Sequence, residues 1–141
     1  MNVGVASKGT VITGVIGDDV HVTGIRILEH ALREAGFKVV SLGVQVLQRE
    51  FINAAVETKA NAILVSSLSG HAKILVLGLK DKCVEAGLKD VRLYLGGQLV
   101  IGEISWEDTE KMFIDMGFDR VYPPNAVPEQ VIADLKADLK L

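Results

Sequence analysis

The sequence predicts an α/β domain: a parallel sheet of five strands covered by helices on both faces. Two patterns carry that expectation. Short runs rich in β-branched residues alternate with amphipathic stretches, and the amphipathic stretches are bounded by glycine stops and capping residues. The chain has 141 residues, 49% of them hydrophobic, enough for one sizeable core and too few for two ordinary domains. A single domain over 1–141 is expected, with residues 1–9 as a loose N-terminus.

The elements follow in order. The first strand covers 11–16 and leads to a helix over 22–35, where Ile25, Leu28, Ala31, Leu32 and Ala35 recur at helical spacing and Gly36 offers a left-handed stop. A second strand spans 38–41. The helix over 48–59 repeats the device with Phe51, Ile52, Ala55 and Val56. A third strand spans 62–66, and one helix is predicted over 72–86, ending before Gly87. After the fourth strand, 91–95, Ser105 supplies a capping hydroxyl and Glu107 and Asp108 supply early carboxylates for a helix ending near Met116-Gly117. A fifth strand over 120–122 precedes Pro128, a first-turn proline opening the last helix, with Val131, Ile132 and Leu135 on its apolar side. The simplest topology is the doubly wound, flavodoxin-like (Rossmann-like) strand order 2-1-3-4-5. Such sheets bind ligands beyond the carboxyl ends of their strands, which directs attention to 17–24, 66–71, 96–102 and 122–127.

Composition excludes several functions. A net charge of −3 leaves no basic surface for a nucleic-acid backbone. The longest apolar stretches, such as 62–65 and 74–77, fall far short of the roughly 20 residues that span a bilayer, so no membrane partner is expected. The apolar run 11–16 leads into Asp18-Asp19 rather than a cleavage site, and the single cysteine, Cys83, closes no internal disulfide. A cytoplasmic location is expected, with Cys83 as an inert packing residue.

Among the strand-end segments, Gly17-Asp18-Asp19-Val20-His21-Val22-Thr23-Gly24 holds an Asp-x-His-x-x-Gly pattern at a strand-to-helix junction. In extended chain Asp19 and His21 leave the same face, so the carboxylate can orient one ring nitrogen and leave the other for a metal. One histidine cannot hold a bare zinc ion, but it suffices for a metal already bound in a macrocycle. A helix cap beside a solvated ring is the plain alternative, and the pattern alone leaves both open. His30 has no carboxylate at matching spacing and reads as structural or solvated, while His71 follows the third strand within reach of a ligand. Ser66 and Leu68 can share one pocket, though Ser69-Gly70 also marks an ordinary turn. Gly96-Gly97 either admits a ligand against bare backbone or forms a turn. Tyr122-Pro123-Pro124-Asn125 ends the fifth strand in a rigid loop beside the same crevice. A phosphate loop is disfavoured, because two carboxylates stand where glycines and an anion would be. A phosphoacceptor aspartate after the third strand is missing too, since Ser66-Ser67 stands there.

Taken jointly, Asp19-x-His21-x-x-Gly24, Ser66-x-Leu68 and Gly96-Gly97 resemble the cobalamin-binding module of base-off/His-on enzymes, a family including methionine synthase, methylmalonyl-coenzyme A mutase and glutamate mutase. Gly14-Val15-Ile16-Gly17, Phe51-Ile52-Asn53-Ala54-Ala55 and the run from Met116 to Pro124 are similar to the small cobalamin-binding (sigma) subunits of glutamate mutase, also called methylaspartate mutase. Departures from that pattern are Asp18 in place of serine, Gln98 in place of asparagine, and Ser69-Gly70-His71 in place of a tyrosine-containing stretch.

The resemblance implies an adenosylcobalamin-binding subunit whose His21 ligates cobalt from below, with Asp19 steadying the ring and Asp18, Val20 and Val22 beside it. Gly24 would make room for the displaced nucleotide tail, Ser66 would hydrogen-bond its base, and Ser67 and Leu68 would adjoin it. Gly96, Gly97, Gln98, Leu99, Val100, Ile101 and Gly102 would border the tail, and Tyr122 with Pro123 would close the rim. It further implies an isomerase of glutamate fermentation, a heterotetramer with a large barrel-type mutase subunit, in which a deoxyadenosyl radical starts the interconversion of L-glutamate and 3-methylaspartate. The small chain would hold no catalytic residue and would be inactive alone. Other readings are the cobalamin subunit of an acyl-coenzyme A mutase, a corrinoid methyl carrier, or a flavodoxin-like regulatory module with no cofactor.

Overall fold

The computed structural model describes residues 7–17, 23–68 and 70–141. Five strands form one sheet in the order β2-β1-β3-β4-β5, and every pairing is parallel. They are β1 (Thr10–Val15), β2 (Lys38–Ser41), β3 (Ala62–Ser67), β4 (Arg92–Gly97) and β5 (Arg120–Tyr122). The helices are α1 (Thr23–Glu34), α2 (Gln48–Thr58), α3 (Ala72–Leu75), α4 (Leu79–Glu85), α5 (Trp106–Asp115) and α6 (Pro128–Asp138). The fold class and strand order agree with those predicted. No helix among the described residues is long and apolar enough to cross a membrane.

Strand alternation divides the interior into two cores. Ile12, Ile63, Val65, Leu93 and Leu95 face α2 to α5, whose Phe51, Val76, Leu79 and Phe113 complete one core. Val11, Ala62, Leu64 and Tyr94 face the other way, against Leu32 of α1 and Val131 and Leu135 of α6. Cys83 is buried in the first core, and burial pushes its thiol upward, away from the reactive thiolate.

Local signals set most boundaries. Gly36 adopts φ 99° after α1, and Phe37 N–H closes onto the Leu32 carbonyl at 3.0 Å. Ser105 Oγ accepts from Asp108 N–H at 3.1 Å and starts α5. Pro128 occupies the first turn of α6.

The single helix expected over 72–86 is two helices. Ala72, Val76, Leu79 and Cys83 keep helical spacing and all are buried, so apolar periodicity carries across the break unaltered. Gly78 turns the chain with φ 79°. Carbonyls freed at the break are met from α2: Gln48 Nε2 donates to the Leu75 oxygen at 2.6 Å and to the Leu77 oxygen at 3.0 Å. The N-terminus expected to be loose over 1–9 is anchored at its end. Lys8 N–H donates to the Gly36 carbonyl at 3.1 Å and Lys38 N–H to that of Gly9 at 2.9 Å, while residues 1–6 lie outside the described residues.

One carboxylate is buried between a helix and the sheet. Glu29 of α1 is 1% exposed, accepts from Thr13 Oγ1 of β1 at 2.5 Å and lies 3.3 Å from Arg26 Nη1. It ties α1 to β1 on either side of the 18–22 segment. Thr13→Val keeps the shape but removes the donor, and should cost about 1–3 kcal/mol of unfolding free energy, read from urea denaturation. A loss below a few tenths would mean that Glu29 is satisfied without Thr13.

Candidate functional site

The carboxyl ends of β1 and β3 stand side by side, with Ile16 N–H donating to the Ser66 carbonyl at 3.0 Å. The chain leaves them toward opposite faces, α1 onto one core and α3 onto the other. A crevice must open where the two connections part.

On the α1 side of that parting, a cavity of about 170 Å³ lies between α1, α6 and the ends of β3 and β4. Leu64, Ser66, Tyr94 and Gly96 form its floor, and Gly24, Ile25 and Leu28 of α1 form one wall. Pro128 and Val131 of α6 form the other wall, with Tyr122, Pro123 and Pro124 at the end of β5 and Leu68 and Gly97 at the mouth. Apolar side chains dominate this lining, with the Ser66 hydroxyl among them, as suits a flat aromatic ligand with one polar edge.

Glycines make the space. Among the described residues, a Cβ on Gly24 would meet no atom within 4 Å. Gly97 is dictated by backbone: at φ 118°, its Cβ would stand 2.3 Å from the Ser67 carbonyl oxygen. The Gly24 finding leaves room for a ligand beside α1, whereas glycine at 97 is required by the close approach of the β3 and β4 ends.

Seven of the expected site residues therefore surround one cavity: Gly24, Ser66, Leu68, Gly96, Gly97, Tyr122 and Pro123. Others do not line it. Ser67 is fully buried two residues beyond Val65 on the opposite strand face, and its Oγ has no hydrogen-bond partner among the described residues. Leu99 packs into the core beneath α3 to α5. Gln98, Val100, Ile101 and Gly102 are exposed beyond β4 and likewise do not line the cavity. Asp18, Asp19, Val20, His21 and Val22, which include the expected cobalt ligand, lie outside the described residues, as does Ser69. His71 is exposed at the start of α3 and stands apart from the cavity lining. His30 is exposed, but the expectation that it lacks a matching carboxylate is corrected: its Nε2 lies 3.5 Å from Glu34 Oε1, one helical turn on.

A polar seam behind the cavity was not anticipated from the sequence. Arg120 of β5 donates through Nε and Nη2 to both oxygens of Asp138, each at 2.9 Å, and its Nη1 lies 3.3 Å from Asp134 Oδ1. Tyr122 Oη donates to Asp134 at 2.6 Å, and Tyr94 Oη donates to Asp138. The two tyrosine rings stand 5.8 Å apart and both line the cavity. The Arg120 guanidinium is the main cause that draws Asp138 down to about 2. Burial, followed by the hydrogen bond to Asp138 or Asp134, pushes both tyrosine hydroxyls up and keeps them protonated donors. The signal was available: Arg92-x-Tyr94-x-Gly96 and Arg120-x-Tyr122 each alternate onto one strand face, and Asp134-x-x-x-Asp138 lies on one helix face.

Comparisons with known proteins agree with this geometry. The B12 binding domain family matches residues 9–133. The chain is 55% identical over 134 residues to the glutamate mutase sigma subunit of Clostridium tetani, spanning 95% of this chain and 98% of that one. It is 57% identical over 130 residues to the glutamate mutase sigma subunit of Carboxydothermus hydrogenoformans, spanning 92% and 95%. A cobalamin-binding protein from Desulfitobacterium hafniense has a similar fold at TM-score 0.77 and 17% identity, covering 94% of this chain and 59% of that one.

Gly97→Ala should lower unfolding free energy by about 1–3 kcal/mol, measured by chemical denaturation, because it combines a strained φ with a backbone clash. The Asp138 carboxyl lies below its ordinary 3.8, so its stabilising contribution is full above about pH 4 and is lost as pH falls toward about 2. Acid unfolding of Asp138→Asn should lack that segment of the pH dependence; an unchanged profile would exclude the seam as its source.

Proposed function

The chain belongs to the B12 binding domain family and, within it, to the glutamate mutase sigma subunits, and from that premise we propose that it carries adenosylcobalamin for glutamate mutase. The observation that carries the reading is the cavity between α1 and α6 over the carboxyl ends of β3 and β4, whose lining suits the nucleotide tail of a base-off cobalamin. Its lining is largely apolar, Ser66 lies on its floor, and the absence of a side chain at Gly24 leaves open space beside α1.

In this reading Ser66 Oγ would donate a hydrogen bond to a ring nitrogen of the tail base held between α1 and α6, and Leu64, Leu68 and Val131 would exclude water around it. Gly24, Gly96 and Gly97 leave room for the tail beside main chain. His21 would hold cobalt through one ring nitrogen, and the Asp19 carboxylate would accept a hydrogen bond from the other ring N–H and so fix its orientation. Adenosylcobalamin, when bound, supplies a deoxyadenosyl radical by homolysis of its cobalt-carbon bond. This chain contributes ligation, orientation and burial. Substrate binding falls to a large barrel-type subunit, and the assembled enzyme interconverts L-glutamate and 3-methylaspartate.

Two measurements test the proposal. The purified chain mixed with cob(II)alamin should show electron paramagnetic coupling to an imidazole nitrogen, and His21→Ala should abolish that coupling and the mutase activity reconstituted with the large subunit. Retention of the tail base on cobalt in the wild-type complex would refute it. Ser66→Ala should weaken cobalamin binding about 2- to 13-fold, the range of one neutral hydrogen bond, in an equilibrium titration.

A further inference from the structure

The polar seam lies one helical turn beyond the wall that α6 gives the cavity. Pro128 and Val131 face the opening, while Asp134 and Asp138, the next positions along α6, hold the helix to the sheet. Every polar group of the seam is shared. Asp138 accepts from the guanidinium and from Tyr94, and Asp134 accepts from Tyr122 and from Gln130 Nε2 at 3.0 Å while lying beside Arg120. Arg92 adds a contact from Nη2 to the Asp138 carbonyl oxygen at 3.3 Å.

Two features separate this arrangement from ordinary surface ion pairing. The bonds to Asp138 are bidentate, the geometry in which an arginine fixes direction as well as distance. Both tyrosines that enter the seam through their hydroxyls present their rings to the cavity. Moving either carboxylate therefore moves a wall, a part of the floor, or both.

We propose that Arg120, Asp134 and Asp138 are positioning residues for the cofactor tail: acting through the hydroxyls of Tyr94 and Tyr122, they set the spacing between α6 and the sheet and with it the selectivity for a corrinoid that carries a nucleotide. The inference rests on the proposed placement of the tail between α1 and α6. Because these residues lie behind the cavity wall, their effect belongs to the tail and not to the corrin ring.

The test compares binding of cobalamin with binding of cobinamide, which has the same corrin and no nucleotide, by equilibrium titration of the full chain. Asp138→Asn should weaken cobalamin binding about tenfold and leave cobinamide binding within about twofold, and Arg120→Lys, which keeps the charge but loses the fork, should fall between it and wild type. Tyr94→Phe removes one hydroxyl while keeping the ring, and should show the same tail-specific loss even if Asp138→Asn fails to fold. Equal weakening for both corrinoids, or no change for either, would overturn the inference. A wild-type chain that binds cobalamin no better than cobinamide would instead defeat the placement of the tail, and the inference with it.

Discussion

The structure depends on the parallel contact between β1 and β3, because that is where the winding of the sheet reverses. Their carboxyl ends are hydrogen-bonded together, yet the chain must leave one toward α1 and the other toward α3, on opposite faces. No side chain creates the resulting gap; topology does. What the side chains decide is its lining. On the α1 and α6 face, leucine, valine, tyrosine and glycine give an apolar recess, while the opposite face is filled by phenylalanine and aliphatic residues.

Much of this architecture was legible. Strands appeared as β-branched runs, caps and glycine stops marked most helix ends, and strict alternation implied the strand order. The break at Gly78 was hidden because a helix and two half-helices with the same buried spacing share one apolar pattern. What stabilises the break is Gln48, a residue of another helix, and a long-range partner leaves no periodic trace.

At the site, sequence motifs named segments and geometry selected residues within them. Ser66-Ser67-Leu68 crosses a strand end, so adjacent members leave opposite faces: Ser66 reaches the cavity and Ser67 the other core. Leu99 behaves similarly, buried where its exposed neighbours are not. The seam around Arg120 escaped notice because charged residues on an edge strand and on a last helix ordinarily face water. Only the pairing of β4 with β5 beneath α6 brings Tyr94, Tyr122 and the two aspartates together.

Where the ends of β3 and β4 pair, Gly97 lies too close to the Ser67 carbonyl to carry a β-carbon. The base of the recess thus joins bare main chain at Gly96 and Gly97 to the side chains of Leu64, Ser66 and Tyr94, while its two sides are helices. Substitutions at Gly24, Ile25, Leu28 or Val131 would therefore reshape the sides for bulkier or slimmer guests while the paired strand ends stay as they are.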